Sequence, residues 1–370
     1  MEPKIQQKTQ QKIQPQIKRQ LSFAFSLARS AHFLVQNLTL PVVERLVAGI
    51  KRPSALEMRE QVQEIVFEAI KLLKKDAQNI SDGIYPIEVL RPEGPGKHAV
   101  RWLKILWDGV ALSRRRRDKK AHEFTAEAQQ YLKDVPEYFR RNFHFQTGGY
   151  LTEQSAELYE HQVQILFMGA ADAMRRMMIP LMKKEISGDG EGLRFLEIGA
   201  GTGILSKFIK MAYPKAQITV SDISEPYLMK AQANLSNNKD FKFVKTAGEQ
   251  LPFEKDHFDA VYSCFLFHEL PLKIRQEVLK ETFRVLKPNG LIGFVDSVQK
   301  SDTQFLWALK QFPVDFHEPY YKNYTLHDMS EMISHEGFTN LRSDVAFFAK
   351  ALAAKKPLKT AKTKSKQPRH

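Results

Sequence analysis

The stretch RFLEIGAGTGILSKF, Arg194 to Phe208, sets an apolar run against a helix-like run across three glycines in five positions. No other feature of the chain constrains its fold as much. Glycines between a strand and a helix let a ligand lie against main-chain N–H groups at the helix N-terminus. A dinucleotide site asks for G-x-G-x-x-G, whose third glycine packs helix on strand. Gly199, Gly201 and Gly203 make G-x-G-x-G instead, and Ile204 stands where the third dinucleotide glycine belongs. Glu197, two residues before the first glycine, suits a cationic ligand better than a pyrophosphate.

After a linker of glycines and acids, ISGDGEG at 186–192, strand-like and helix-like runs alternate. LRFLEI precedes a helix over 203–212, and QITVSD a helix over 225–236. FKFVKT follows, then FDAVYSC with a helix over 272–286, then LIGFVDS. This rhythm predicts an α/β fold with a doubly wound, mostly parallel sheet. KPNG, ahead of LIGFVDS, reads as a turn in which Pro288 sets φ and Gly290 relieves it. GFTNLRSDVAFFAKAL offers a closing antiparallel pair.

From about 55 to 185 the rhythm is helical. Leu56, Val62, Ile65, Val66, Ile70 and Leu73 fall three and four apart, as do Leu158, Val163, Leu166, Phe167 and Met174 farther on. Between them, YFRRNFHFQTGGYLTEQ is aromatic, basic and broken at Gly148-Gly149. The expected organisation is a disordered basic tail over 1–20, a helical cap region over 21–185, an α/β domain over 186–353 and a disordered lysine-rich tail over 354–370.

LEIGAGTG resembles motif I of the class I S-adenosylmethionine-dependent methyltransferases, and the resemblance runs in order over about 193–300. VSDIS, AGEQLPF, FDAVYSCFLFHEL and RVLKPNGLIGFVDS look like the later motifs of that family. AGEQLPF is similar to its subgroup acting on quinone rings and related small molecules, the methyltransferase type 11 or ubiquinone/menaquinone C-methyltransferase-like enzymes. The resemblance implies a Rossmann-like sheet of seven strands, the last antiparallel, with S-adenosyl-L-methionine as cofactor. It also implies that Glu197, Gly199, Ala200, Gly201 and Gly203 line that cofactor and that Asp222 binds both ribose hydroxyls, with Ile223 beside it. Gly248 and Glu249 are the implied adenine contacts, because Ala247 stands where the family often has an aspartate. Cys264, at the end of the fourth strand, is the last implied cofactor neighbour.

Methyl transfer from a sulfonium is a direct displacement that needs alignment and exclusion of water. It requires no metal, and no metal-ligand spacing appears. In this family the exit of the fourth strand faces the methyl group, so His268 and Glu269 are the catalytic candidates, His268 as base and Glu269 as its orienting or assisting partner. Two aromatic segments with polar groups are expected to shape an acceptor pocket. QFPVDFHEPYYKNYT offers His317, Tyr320 and Tyr321 beside Glu318; the segment around Gly148-Gly149 offers Tyr150 and a hinge for an N-terminal lid. The expected acceptor is a small molecule, aromatic or lipid-like.

Cytosine C5-methyltransferases place a proline before their nucleophilic cysteine. Ser263 precedes Cys264, which reads instead as a small buried side chain. The Asn/Asp-Pro-Pro-aromatic loop of amino-methyltransferases acting on bases is also absent. Both features argue against base methylation, and the charge, held mainly in two tails, is weak evidence for a nucleic-acid-binding body. Of the formal net charge of +14, residues 1–20 carry +4 and residues 350–370 carry +8. Two alternatives remain at this level: a nucleic-acid methyltransferase tethered by its basic tails, and a cofactor-binding protein without turnover.

No run of 18 uninterrupted apolar residues is present. LSFAFSLARSAHFLVQNLTLPVVERLVAGI, 21–50, reads as a signal or transit segment, as a peripheral membrane contact with the basic tails, or as an amphipathic helix on its own protein. SRRRRDKK, 113–120, reads as a solvated helix face, as a contact for phosphate or acidic headgroups, or as a nuclear signal. A single cysteine excludes an internal disulfide and suits a reducing compartment, so a cytoplasmic location is expected, with membrane association as the alternative that residues 21–50 and the basic tails leave open. The oligomeric state is left open.

Overall fold

A computed structural model describes residues 14–49, 59–92, 95–118, 120, 122–236, 238–302 and 305–358. Helices α1 (Pro15–Ala48), α2 (Arg59–Ser81), α3 (Pro95–Asp118), α4 (Ala126–Gln129), α5 (Glu153–Leu166), α6 (Ala171–Arg176) and α7 (Met178–Glu185) come first. The chain continues as β1 (Arg194–Ile198), α8 (Ile204–Ala212), β2 (Gln217–Asp222), α9 (Glu225–Leu235), β3 (Phe241–Lys245), β4 (Phe258–Cys264) and α10 (Leu272–Val285). It ends with β5 (Leu286–Ser297), α11 (Leu306–Asp315), α12 (Tyr321–Tyr324), α13 (Met329–His335), β6 (Thr339–Ala346) and β7 (Ala349–Lys355).

The seven strands form one sheet in the order β3-β2-β1-β4-β5-β7-β6. The first five are parallel, and β7 enters antiparallel between β5 and β6. Successive strand residues face opposite sides, so a sheet covered by helices on both faces needs apolar residues at nearly every position. In β1, Phe195 joins the core beneath α2, α7 and α8, while Leu196 and Ile198 join the core beneath α10 and α13. The order reverses beside β1, and a doubly wound sheet opens its ligand crevice at the strand ends there.

Three local features differ from the sequence expectation. Pro15 opens α1, so residues 15–20 of the expected tail are helical; proline's fixed φ suits a first turn. KPNG lies inside β5, where pairing with β4 passes from Phe258↔Leu286 to Ala260↔Leu291. The turn residues are therefore a bulge, with Asn289 at φ 63°. At the other end, Ala354 and Lys355 of the expected tail are strand, and residues 1–13 and 359–370 lie outside the described residues.

The helices of the N-terminal region are fastened to one another by charge as well as by apolar packing. Arg176 of α6 donates from Nε and an Nη to the two oxygens of Asp76 on α2, at 2.9 and 2.7 Å, and Tyr85 Oη donates to the same carboxylate at 2.7 Å. All three side chains are buried. A bidentate guanidinium–carboxylate pair holds both helices in one register. Among the described residues, no helix is long and apolar enough to cross a membrane.

Candidate active site

The glycine turn follows β1 at the reversal point. Gly199 and Gly203 have φ of 63° and 79°, and a Cβ on either would come within 2.8 Å of Leu266 or Leu235. Packing thus forbids side chains there. At Gly201 the nearest atom to a Cβ would be Tyr227 Cδ1, 3.9 Å away, so its open side is turned to the crevice rather than into the core.

Two carboxylates frame this turn. Asp222, the last residue of β2, accepts the Gly201 N–H at 2.7 Å and the Ser224 N–H at 2.8 Å. Burial lifts its pKa to about 6, against those hydrogen bonds, which lower it. Glu197 accepts the Ser206 N–H at 3.0 Å and the Ser206 hydroxyl, which meets Tyr262 Oη at 2.9 Å. Burial pushes Glu197 to about 8. Both line a cleft of about 690 Å³ together with Gly199, Ala200, Gly201, Ile223 and Cys264. Gly203 caps α8 behind this lining. Burial raises the Cys264 thiol well above its ordinary range, which removes thiolate character from a nucleophile at this position.

Beyond Gly199 and Ile223, a cavity of about 430 Å³ is lined by Thr246, Ala247, Gly248, Glu249 and Tyr138. Glu249 Oε1 accepts Tyr138 Oη at 2.7 Å; its buried Oε2 has no hydrogen-bond partner among the described residues. The opposite end of the cleft is closed by the helical region through Tyr150, Tyr159, Glu160 and Arg175. Arg175 meets Glu160 at 2.9 Å. These closing residues carry no motif and were not expected from sequence, apart from Tyr150.

His268 and Glu269 sit in the 3-10 turn Phe267–Glu269 at the exit of β4. His268 Nδ1 lies 2.6 Å from Asp296 Oδ1, and the other Asp296 oxygen accepts the Phe267 N–H at 2.7 Å. Burial alone would depress the imidazole, but the Asp296 carboxylate outweighs it and lifts the pKa to about 9. Asp296 was missed in the sequence; its only signal is a carboxylate within the apolar run LIGFVDS. Glu269 Oε1 accepts Tyr150 Oη at 2.6 Å and lies 3.9 Å from His268 Nε2.

A second, larger space of about 1440 Å³ adjoins the cleft and is almost entirely apolar. Leu34 and Leu38 of α1, Val62 and Val66 of α2, Leu166 of α5, and Phe312 and Tyr321 of the segment after β5 contribute to it. His268 and Ser297 are among its few polar groups. Tyr159, Phe265 and Glu269 line both this chamber and the cleft.

The four expected acceptor residues separate. Tyr321 lines the chamber. Tyr150 lines the cleft instead, because its hydroxyl is held on Glu269. Tyr320 lies under the Arg141 guanidinium and donates to the Tyr138 carbonyl at 3.3 Å, away from both linings. His317 lines neither space; burial and the nearby Arg141 lower it to about 4. The residue of that segment turned inward is Glu318, which meets His144 Nε2 at 3.1 Å. In the basic run, Arg115 is buried and donates to Thr147 Oγ1, so 113–120 is not uniformly a solvated face.

Residues 195–290 match the family model described as a methyltransferase domain. The ubiquinone/menaquinone biosynthesis C-methyltransferase of Ectopseudomonas oleovorans is 36% identical over 110 residues, covering 29% of this chain and 64% of the relative. The enzyme of that name from Pseudomonas fluorescens is 33% identical over 145 residues, covering 37% and 56%. The chain spans about half the length of the curated relatives it matches. Among solved structures, a SAM-dependent methyltransferase from Aquifex aeolicus aligns with a TM-score of 0.37 at 21% identity, covering 48% of this chain and 88% of that one.

Proposed function

From a chain that carries a class I S-adenosylmethionine-dependent methyltransferase domain at its centre, we propose that it moves a methyl group from S-adenosylmethionine to a small apolar acceptor held in the chamber under α1 and α2. The observation that carries this reading is the shared wall: Tyr159, Phe265 and Glu269 face the cleft on one side and the chamber on the other. A methyl group leaving the cleft there enters a largely apolar space.

The residues fit the cofactor on two counts. Gly201 leaves open the space that any side chain would fill, and Glu249 keeps a buried carboxylate oxygen without a partner. Bound S-adenosylmethionine supplies an electrophilic methyl group and leaves as the thioether. Asp222 spends one lone pair of each oxygen on main-chain N–H groups, so each keeps acceptor capacity for a ribose hydroxyl. Glu249 takes the adenine amino group in the role left vacant at Ala247. His268, held by Asp296, carries a proton at neutral pH and faces the chamber. In that state it stabilises the oxyanion of an acceptor that has given its proton to solvent; above about pH 9 it is free to accept that proton itself.

The chamber lining and the quinone enzymes among the relatives together favour a ring-bearing acceptor with an apolar substituent. Leu38, Val62 and Val66 line the chamber and are also exposed, so its mouth opens on an apolar rim. Val42, Leu46 and Trp107 are exposed as well, on α1 and α3. Such a rim suits peripheral docking on a bilayer from which the acceptor is drawn. Calorimetric titration with S-adenosylmethionine and S-adenosylhomocysteine, repeated on Asp222→Ala, tests the cofactor half. Methyl transfer to short-chain quinols and alkyl phenols tests the acceptor half. Micromolar binding lost in the variant, with turnover on one such class, is expected. Absence of binding by the unaltered chain would overturn the reading.

A further inference from the structure

His144, Glu269 and Glu318 bring three ligand atoms within 4.8 Å of one another beside the wall between cleft and chamber. They come from three separate places: the turn Phe143–Phe145, the exit of β4, and the segment after α11. His144 Nε2 lies 3.1 Å from Glu318 Oε1 and 3.6 Å from Glu269 Oε1. Donor atoms that share a divalent cation at about 2.1 Å are about 3.0 Å apart at a right angle and about 3.4 Å apart in a tetrahedron. The shorter observed separation falls inside that range and the longer one lies just above it.

A plain ion pair does not account for this cluster. The Glu318 side chain is completely buried, yet neither oxygen has a hydrogen-bond partner among the described residues. Its approach to His144 is close without being aligned as a hydrogen bond, as when two groups aim at a common point between them. A buried carboxylate left this way costs several kcal/mol, by order of magnitude, and needs a cation or proton to compensate it.

The backbone supports the same aim. His144 is held at φ 56°, ψ 16°, and His317, next to Glu318, at φ 48°. Left-handed backbone outside glycine costs about 1–3 kcal/mol and persists where the surroundings over-determine it. Here the buried Asn142 donates to the carbonyls of Glu123 and Gln146 on either side of the turn, which locks it. Tyr150 Oη, at 2.6 Å from Glu269 Oε1, orients a second ligand from behind, as outer partners of metal ligands do.

We propose that His144, Glu269 and Glu318 bind one divalent first-row cation, Mn²⁺ or Zn²⁺, with coordination positions left open toward the chamber. One imidazole and two carboxylates suit these ions better than Mg²⁺ or Ca²⁺, which prefer oxygen alone. His144 lines the chamber, so the open positions face an acceptor that offers oxygen ligands, such as a hydroxyl beside a carbonyl or a second hydroxyl on a ring. The site rests on the side chains alone; its use on an acceptor rests on the methyl-transfer reading above.

The test is a titration of the full chain with Mn²⁺, followed by loss of the free-ion electron paramagnetic resonance signal, without cofactor or acceptor. One ion per chain is expected, with a dissociation constant below about 100 µM and displacement by Zn²⁺. Glu318→Gln and His144→Gln, each checked for an intact unfolding transition, should weaken binding at least tenfold. Absence of saturable binding, or binding that survives in either folded variant, overturns the proposal. Failure of the methyl-transfer reading would show separately, as absent S-adenosylhomocysteine binding in the same preparation.

Discussion

Asp296 Oδ1 stands 2.6 Å from His268 Nδ1, deep at the end of the parallel sheet, and keeps the imidazole charged well above its ordinary range. The pairing joins β5 to the exit of β4, and it orients the ring toward the chamber.

The sign of its pH dependence follows. The folded-state pKa of His268, about 9, exceeds the ordinary value near 6.5, so the pair's stabilisation is complete below about pH 6.5 and is lost as pH rises through 9. Histidine proton NMR should show one ring titrating near pH 9 in the unaltered chain. Asp296→Asn should lower it, because burial is then opposed only by the Glu318 and Glu269 carboxylates, and should lower stability at pH 7 by about 2–3 kcal/mol. An unchanged titration would remove Asp296 from this role.

Asp222→Ala leaves two main-chain N–H groups without their acceptor and takes away the proposed ribose contact. S-adenosylhomocysteine affinity should fall at least about 100-fold by calorimetry, the scale of two charge-assisted hydrogen bonds. Gly201→Asp should abolish binding by placing a carboxylate into the open side of the turn. Retention of affinity in both variants would place the cofactor elsewhere.

Ala308 lines the apolar chamber and not the cleft. Ala308→Trp should fill part of it, raising the acceptor KM at least about tenfold, while S-adenosylhomocysteine affinity stays within about twofold. Equal losses in both would mean that the two spaces are one site.

Asp76→Ala strands the buried Arg176 guanidinium. The expected cost is about 3–5 kcal/mol, measured by urea unfolding, since an uncompensated buried charge is worse than none. Asp76→Ala with Arg176→Met should recover much of that loss. A single-variant cost under about 1 kcal/mol would mean that water reaches the pair.

Val42 and Leu46 lie on the exposed face of α1. Val42→Glu with Leu46→Glu should reduce co-sedimentation with anionic phospholipid vesicles at least about tenfold, without changing cofactor affinity. Equal vesicle binding by the pair of variants would exclude this face from docking.

Short-range chemistry made much of this protein legible before folding. The order of strands and helices from Arg194 to Ser297 followed from apolar periodicity, and the glycine turn with Asp222 from the local demands of a strand–turn–helix unit, whereas the three helices after Ser297 were not foreseen. Cys264, expected as a small buried side chain, is half-buried on the cleft lining, and burial raises its thiol well above the ordinary range. KPNG carried a turn's composition but became a bulge, because pairing with β4 continues on both sides of it.

The acceptor side was decided only in three dimensions. His317 and Tyr320 had the right chemistry in the right segment, yet Tyr320 is drawn to Tyr138 and Arg141, while Glu318 turns inward to His144. Asp296 reaches His268 across 28 positions of chain, and Glu318 reaches His144 across a far longer interval. Periodicity and motif spacing record what neighbouring residues impose on one another within a strand, a turn or a helix. They carry no record of which distant side chains share a buried volume, because packing of the helical region against the sheet selects those partners.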